Sequence, residues 1–319
     1  MEEWLATIAP TVRPSTHYSY ARNLRLHVLP YLGSTPLAAV DGGVLNGLYA
    51  SLLASGRKNH EGGGLSARSV SYVHTIAHRA FKDAVKWGRL VRNPANAADP
   101  PRATSSGSPD MVTWTAEQLR TFLDGVRGDR LSAAYLSLAT TGMRRGEALG
   151  LRWADLDLDA GRAAIRQTVI AVNHHPVIGT PKTAKGRRTV RLDTATVAAL
   201  REHRKQQAAE RLQMGTGWAD HDLVFCRVDG DLLHPERFSR SFGGRVRQLG
   251  LPRIRLHDLR HGWATMALGA GVHPKVVQER LGHANIGITL DVYSHVTAGL
   301  HDDAAEKVAG LVFGPLAIR

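Results

Sequence analysis

The segment Leu256-His257-Asp258-Leu259-Arg260-His261 sets an imidazole and a guanidinium three residues apart, which on a helix puts both on one face. Such a pair can converge on one phosphate, the guanidinium as a fixed fork of donors and the imidazole as a group that changes protonation near neutral pH. Taken alone, a histidine and an arginine on the surface of a basic protein are the plainer account. Phosphoryl transfer at a phosphodiester asks for more: a nucleophile, cations or donors around the non-bridging oxygens, and an acid for the departing oxygen. The charge balance suits such a substrate. Lys and Arg number 41 against 28 Asp and Glu, a net charge of +13 with pI about 10.3. This excess favours a polyanion without separating DNA from RNA or a membrane surface.

Other chemistries lack their residues. The 16 histidines are scattered, Cys226 is the single cysteine, and no paired carboxylates of the magnesium-nuclease kind occur, so a metal-free reaction is expected. Glu61-Gly62-Gly63-Gly64 lacks the following lysine and preceding strand of a phosphate-cradling loop, so no ATP requirement and no cofactor are expected. Cys226 lies in the apolar run Leu223-Val224-Phe225-Cys226 and reads as a buried core thiol. No apolar run approaches a membrane span, and Met1-Glu2-Glu3-Trp4 does not open like a secretion signal, so a cytoplasmic location is expected.

The elements that must position these residues follow from periodicity and punctuation. A stretch dense in Pro, Ser, Thr and Gly, from Asp99-Pro100-Pro101 to Pro109-Asp110, divides the chain near residue 105. The expected organisation is a helical domain over residues 1–100, a linker over 101–112 and a second domain over 113–319. In the first, Ser15 to Leu29 and Leu37 to Leu53 look helical, and Ser66 can cap a helix whose Val70, Val73, Ala77, Phe81 and Val85 recur at helical spacing. Arg68, His78, Arg79, Lys82 and Lys86 lie off that apolar stripe, where they can follow a phosphate backbone or simply face water.

In the second domain, helices are expected over Thr115 to Gly125, Leu131 to Ala139 and Arg144 to Leu151, with a turn at Thr141-Gly142. A strand is expected over Ala163 to Val172, and a hairpin from His175–Thr180 and Arg187–Leu192 around Lys182-Thr183-Ala184-Lys185-Gly186. Helices resume at Thr194 to Arg211, Pro235 to Leu249, Leu256 to Ala270 and Pro274 to Leu281, with Gly271 and Gly282 as stops. The fold class is therefore mainly α with a small antiparallel β-sheet.

His257-x-x-Arg260 is followed by Leu281-Gly282-His283 and then by Asp291-Val292-Tyr293-Ser294-His295, which resembles the signature of the tyrosine recombinases of the phage integrase type. Thr140-Thr141-Gly142-Met143-Arg144-Arg145-Gly146-Glu147-Ala148-Leu149 is similar to that family's first arginine box, and Pro181-Lys182-Thr183 with Arg187-Arg188 to its hairpin lysine segment. The catalytic resemblance runs from about Trp114 to Val296, and the helical first domain resembles the family's core-binding domain, so Arg68, Arg79, Lys82 and Lys86 become its candidate DNA contacts.

The resemblance implies a role for each matched residue. Tyr293 would be the nucleophile that takes the scissile phosphate into a 3′-phosphotyrosine link. A free tyrosine, with a pKa of about 10, needs help to lose its proton. His257 would give that help, Arg144 and Arg260 would clamp the non-bridging oxygens, His283 would add a donor, and Lys182 would protonate the departing oxygen. Lys185 stands close enough that spacing within a loop leaves the two lysines unseparated; the family pattern favours Lys182. Arg145 adjoins Arg144, but helical neighbours point about 100 degrees apart, so one alone enters the site, and the motif selects Arg144. Glu147 is near enough to orient that guanidinium, or is an ordinary acid of a first helical turn. His261 reads as a support or DNA-face residue, and Tyr293 without its motif would be one more packed aromatic.

The activity so implied is site-specific DNA cleavage and rejoining that integrates or excises a mobile element, without metal or ATP. The implied partners are double-stranded DNA, a homo-tetramer on paired sites assembled from chains that are monomeric in solution, and accessory DNA-bending or directionality proteins, giving a nucleoid-associated location. Residues 302–313 place Ala305, Val308, Leu311 and Val312 at helical spacing, as a segment linking protomers or folding back on its own domain. Many phage integrases carry a further arm-site-binding domain ahead of the core-binding helices. This chain begins almost at those helices, as a simpler or a truncated recombinase would. Two alternatives share much of this: a type IB topoisomerase, against which the compact size and the motif wording count, and a non-catalytic DNA-binding protein, against which the presence of all six matched residues counts.

Overall fold

A computed structural model of the chain describes residues 1–58, 62–102, 112–181, 186–283, 285–287 and 311. It divides into two compact units, Met1–Pro109 and Asp110–Arg319. The middle of the expected linker, residues 103–111, lies outside the described residues.

The first unit contains α1 (Glu2–Ile8), α2 (Pro14–His27), α3 (Leu29–Leu32), α4 (Gly42–Ser55) and α5 (Ala67–Lys86), with no strand among its described residues. The helix expected over Leu37 to Leu53 divides into a 3-10 turn, Leu37–Ala39, and α4. Its Asp41 carboxylate accepts the Val44 N–H at 2.8 Å, and so starts a new helix instead of continuing the old one. Ser66 caps α5 through the Ser69 N–H at 3.2 Å. Val70, Val73, Ala77 and Phe81 of α5 are buried in one core with Leu24, Leu45, Leu48 and Leu52, while Val85 is half-buried.

The second unit begins with α6 (Ala116–Gly125), α7 (Ser132–Thr141) and α8 (Arg145–Leu149). Its core is organised by Trp114, Phe122, Tyr135, Phe238 and Phe242; the Tyr135 and Phe238 rings stack at 5.1 Å. Cys226 is buried there and accepts a hydrogen bond from Gln207 at 3.0 Å. Five short strands follow α8: β1 (Leu156–Asp157), β2 (Arg162–Ile165), β3 (Thr168–Val172), β4 (His175–Gly179) and β5 (Arg188–Arg191). They form two antiparallel sheets, β1-β2-β5 and β3-β4.

Two strand expectations are corrected. The single strand over Ala163 to Val172 is two strands in different sheets, parted at Arg166-Gln167. Nor is β4 the hairpin partner of β5: it pairs with β3 across Asn173-His174, both at positive φ (48° and 63°), while β5 pairs with β2. That two-residue turn matches strand twist and closes the shorter hairpin. Gly146 and Gly150 let β3 lie on the α8 backbone, since a Cβ at Gly150 would stand 2.7 Å from Thr168 Cα and one at Gly146 2.7 Å from the Val169 carbonyl.

The chain returns through α9 (Thr194–Met214), α10 (Pro235–Gln248), α11 (Asp258–Gly269) and α12 (Pro274–Leu281). Two helix starts also move. Arg144 precedes α8 with extended backbone (φ −71°, ψ 149°) because the Glu147 carboxylate accepts its N–H at 2.9 Å. His257 precedes α11, where Asp258 accepts the Arg255 N–H at 2.7 Å and fixes the turn. Gly142 ends α7 and Gly282 ends α12, both left-handed (φ +67° and +66°).

Candidate active site

The two left-handed turns that close α7 and α12 frame the site. Arg260, on the first turn of α11, is 3% exposed, and so large a buried cation is tolerable only if its donors are satisfied. Its Nη1 donates to the Gly142 carbonyl and its Nη2 to the Leu281 carbonyl, each at 2.7 Å. Both acceptors lie at helix carboxyl ends, where the partial negative charge of the backbone complements a guanidinium. A side chain at Gly142 would be strained: its backbone is left-handed, and a Cβ would lie 2.7 Å from Leu281 Cδ2 and 3.1 Å from Trp263 Cε3.

Arg144 reaches the same turn from the other side, its Nη2 donating to the Gly282 carbonyl at 3.3 Å. Its Nη1 donates to Glu147 Oε1 at 2.8 Å, so the two side chains form an ion pair three residues apart. Glu147 is buried, yet Arg188 and Arg144 hold its carboxyl below the usual range against the opposing effect of burial. Arg145, the first residue of α8, turns elsewhere and donates to Ser239 on α10 at 2.7 Å.

His283 follows the Gly282 turn, and its backbone is fixed on both sides by Gln278, whose carbonyl accepts the His283 N–H at 3.1 Å and whose Nε2 donates to the His283 carbonyl at 3.2 Å. Removal from water, with the Arg260 and Arg144 guanidiniums beside it, pushes the His283 imidazole down to about 4. The same causes, removal from water first and the His261 and Arg260 charges next, lower His257, although that residue keeps an open face to solvent. The His257 and His261 rings meet edge to face at 4.9 Å, which gives His261 a supporting position. Both site imidazoles are therefore neutral near pH 7.

Arg144, His257, Arg260 and His283 thus share one neighbourhood. Lys182, its neighbour Lys185 and Tyr293 lie outside the described residues. No three His, Cys, Asp or Glu side chains gather as a metal site among the described residues. Sequence reasoning gave no role to Arg188, Gln278 or Arg280. Arg188 donates to both Glu147 oxygens and, through Nε, to the Arg280 carbonyl at 2.6 Å. Arg280 stacks on Trp263 at 4.9 Å and donates to the Arg191 carbonyl at 2.8 Å. Only the Arg187-Arg188 pair of the lysine segment hinted at the first; nothing local marked the other two.

In the first unit, the polar face of α5 carries Arg68, Lys82 and Lys86, all exposed. Arg79 is half-buried, donating to the Tyr20 hydroxyl at 3.2 Å and lying over that ring at 5.5 Å, while His78 is bonded to Asn96 at 2.9 Å.

Residues 114–299 match the model of the phage integrase family, and residues 1–41 that of the phage integrase N-terminal SAM-like domain. Among curated relatives, a tyrosine recombinase XerC-like protein of Caldanaerobacter subterraneus is 25% identical over 98% of this chain and 82% of its own length. The ICEBs1 integrase of Bacillus subtilis is 27% identical over 78% of this chain and 67% of its own. Among solved structures, the Tn1549 transposon integrase in complex with transposon right end DNA superposes with a TM-score of 0.77 at 22% identity, covering 96% of this chain and 98% of that one. A lambda integrase tetramer bound to a Holliday junction gives 0.60 at 15% identity, covering 89% of this chain and 76% of that one.

Proposed function

The chain belongs to the phage integrase family of DNA-cleaving and rejoining enzymes, and we propose that it acts through Tyr293 with Arg144, Lys182, His257, Arg260 and His283 as its catalytic set. The Tyr293 hydroxyl passes its proton to neutral His257 and its oxygen attacks phosphorus. The bond to the 5′ oxygen breaks, and Lys182 protonates the oxygen that leaves. A 3′-phosphotyrosine and a free 5′-hydroxyl result, and the reverse attack by a hydroxyl of another strand rejoins DNA with no external energy source. Arg144 and Arg260 neutralise the charge that builds on the non-bridging oxygens, and His283 adds a neutral donor.

One observation carries this reading: the guanidiniums of Arg144 and Arg260, 116 positions apart in the chain, are hooked to adjacent carbonyls of the Leu281-Gly282 turn that presents His283. The substrate is double-stranded DNA, which the basic face of α5 tracks through Arg68, Arg79, Lys82 and Lys86, with a DNA-binding domain over residues 1–100 joined by a linker to a catalytic domain over 113–319. The working assembly is a homo-tetramer on two sites within the nucleoid, a reading supported by the lambda integrase tetramer on a Holliday junction. Protomers would be joined by residues 302–313, of which Leu311 is described and 87% exposed.

The test is adduct formation. Wild type and Tyr293→Phe are each mixed with labelled duplexes drawn from the DNA flanking the gene, without added metal, and resolved on denaturing gels. Wild type alone should give a protease-sensitive adduct, whose DNA identifies the target. Binding by both proteins with an adduct from neither sinks the reading in favour of a binding role.

A further inference from the structure

Four successive carbonyls at the end of α12 each receive a side-chain donor: Arg188 at Arg280, Arg260 at Leu281, Arg144 at Gly282 and Gln278 at His283. Two of these arginines belong to the proposed phosphate clamp. Arg188 does not, and its side chain is 9% exposed against 41% for Arg144, so it stands behind Glu147 while Arg144 stands in front. Glu147 Oε1 accepts from Arg144 Nη1 at 2.8 Å and from Arg188 Nη1 at 3.1 Å. Glu147 Oε2 accepts from the Arg144 backbone N–H and from Arg188 Nη2, both at 2.9 Å.

Charge decides what this arrangement does. Arg144 with Glu147 alone is a neutral pair, and a neutral pair is a poor ligand for a dianionic transition state. With Arg188 present the trio carries one net positive charge, and the buried cation satisfies the carboxylate that would otherwise draw Arg144 inward. We propose that Arg188 is a positioning residue that counters Glu147 from within, leaving Arg144 as the open, net cationic arm of the phosphate clamp. Through its Nε bond to the Arg280 carbonyl it also sets the distance from that arm to the turn that bears His283. This proposal rests on Arg144 being a phosphate ligand.

The experiment compares single-turnover cleavage by wild type, Arg188→Met, Arg188→Lys, Glu147→Gln and the double variant Arg188→Met/Glu147→Gln. The duplex is the one trapped in the adduct experiment, with either an ordinary phosphate or an uncharged methylphosphonate at the scissile position. Arg188→Met should cleave about 10–100-fold more slowly, the usual cost of losing a group that orients a site residue. Duplex affinity should be nearly unchanged, and Arg188→Lys should lie between. The double variant should recover most of the loss because both buried charges are gone together, and the methylphosphonate should narrow the gap between Arg188→Met and wild type.

A purely structural brace predicts the opposite on both counts: a double variant as slow as Arg188→Met, and no narrowing on the neutral substrate. Either result overturns the proposal. Arg144→Ala serves as reference. If it recovers on the methylphosphonate and Arg188→Met does not, the positioning role alone fails. If Arg144→Ala shows no recovery, the clamp reading itself fails and this proposal with it. Melting curves on all variants separate loss of fold from loss of rate, and the conservative Arg188→Lys keeps a folded comparison should Arg188→Met unfold.

Discussion

The cations of the candidate site in the second unit and those along α5 of the first are used in opposite ways. In the second unit Arg144, Arg188, Arg260 and Arg280 are held by carbonyls, by one carboxylate and by a tryptophan ring, and Arg260 has almost no contact with solvent. On α5 of the first unit the side chains of Arg68, Lys82 and Lys86 are exposed and make no hydrogen bond or ion pair with any described residue. A cation that must meet one phosphate at the moment charge develops benefits from being fixed beforehand, because no reorganisation remains when the reaction occurs. A cation that follows a phosphate backbone gains from counterion release, and a long solvated side chain serves that purpose without being fixed. Arg79, stacked on Tyr20, is the intermediate case.

Keeping the charge while removing the fork separates the two kinds of cation most strongly. Arg144→Lys and Arg260→Lys should each lower the cleavage rate about 100–1,000-fold in single-turnover assays, since a compact ammonium cannot span two acceptors and the phosphate together. A rate near wild type for either would mean that charge alone suffices. Next in size is the frame. Gly142→Ala forces a left-handed backbone and a clash with Leu281, and should cost about 1–3 kcal/mol of stability by denaturant unfolding, with cleavage reduced as the Arg260 acceptor moves.

Acid offers a smaller effect with a definite sign. His283 is pushed down to about 4 in the fold, below the 6.5 or so of an unfolded histidine, so between those values the unfolded chain binds protons that the fold refuses. Its contribution is complete above about pH 6.5 and is lost as pH falls towards 4; melting temperature should decline across that window, and His283→Gln should flatten the decline. Smallest are the effects on α5. Arg68→Ala, Lys82→Ala and Lys86→Ala should each reduce the salt slope of duplex binding by about 0.9 and leave stability within about 0.5 kcal/mol. Arg79→Ala should add a stability loss of about 0.5–1 kcal/mol, because its ring contact is lost as well.

Much of the site was legible because its residues sit in short local patterns. His257-x-x-Arg260, Leu281-Gly282-His283 and the box around Arg144 needed only their order and spacing, and Gly142 and Gly282 announced helix ends that the fold has. What local pattern misjudged was pairing. Ala163 to Val172 reads as one β-branched run, but which strand lies beside each half depends on the Asn173-His174 turn and on Gly146 in α8 and Gly150 just after it, both pressed against β3. The capping of α8 by Glu147 was similarly hidden: an acid in a first helical turn looks the same whether or not it draws the preceding arginine off the helix.

From the sequence alone came the chemistry available: a tyrosine, two arginines, two histidines and a lysine in a family order, on a chain basic enough to seek DNA, since residue type and spacing along the chain carry that information. Tertiary structure alone decided that Arg188, one of many arginines, stands behind Glu147, and that the carboxyl end of α12 is the rail on which Arg144 and Arg260 are hung. The physical reason is that both depend on desolvation and on donors meeting acceptors from segments more than 20 residues apart, as with Arg260 and Leu281 at 21.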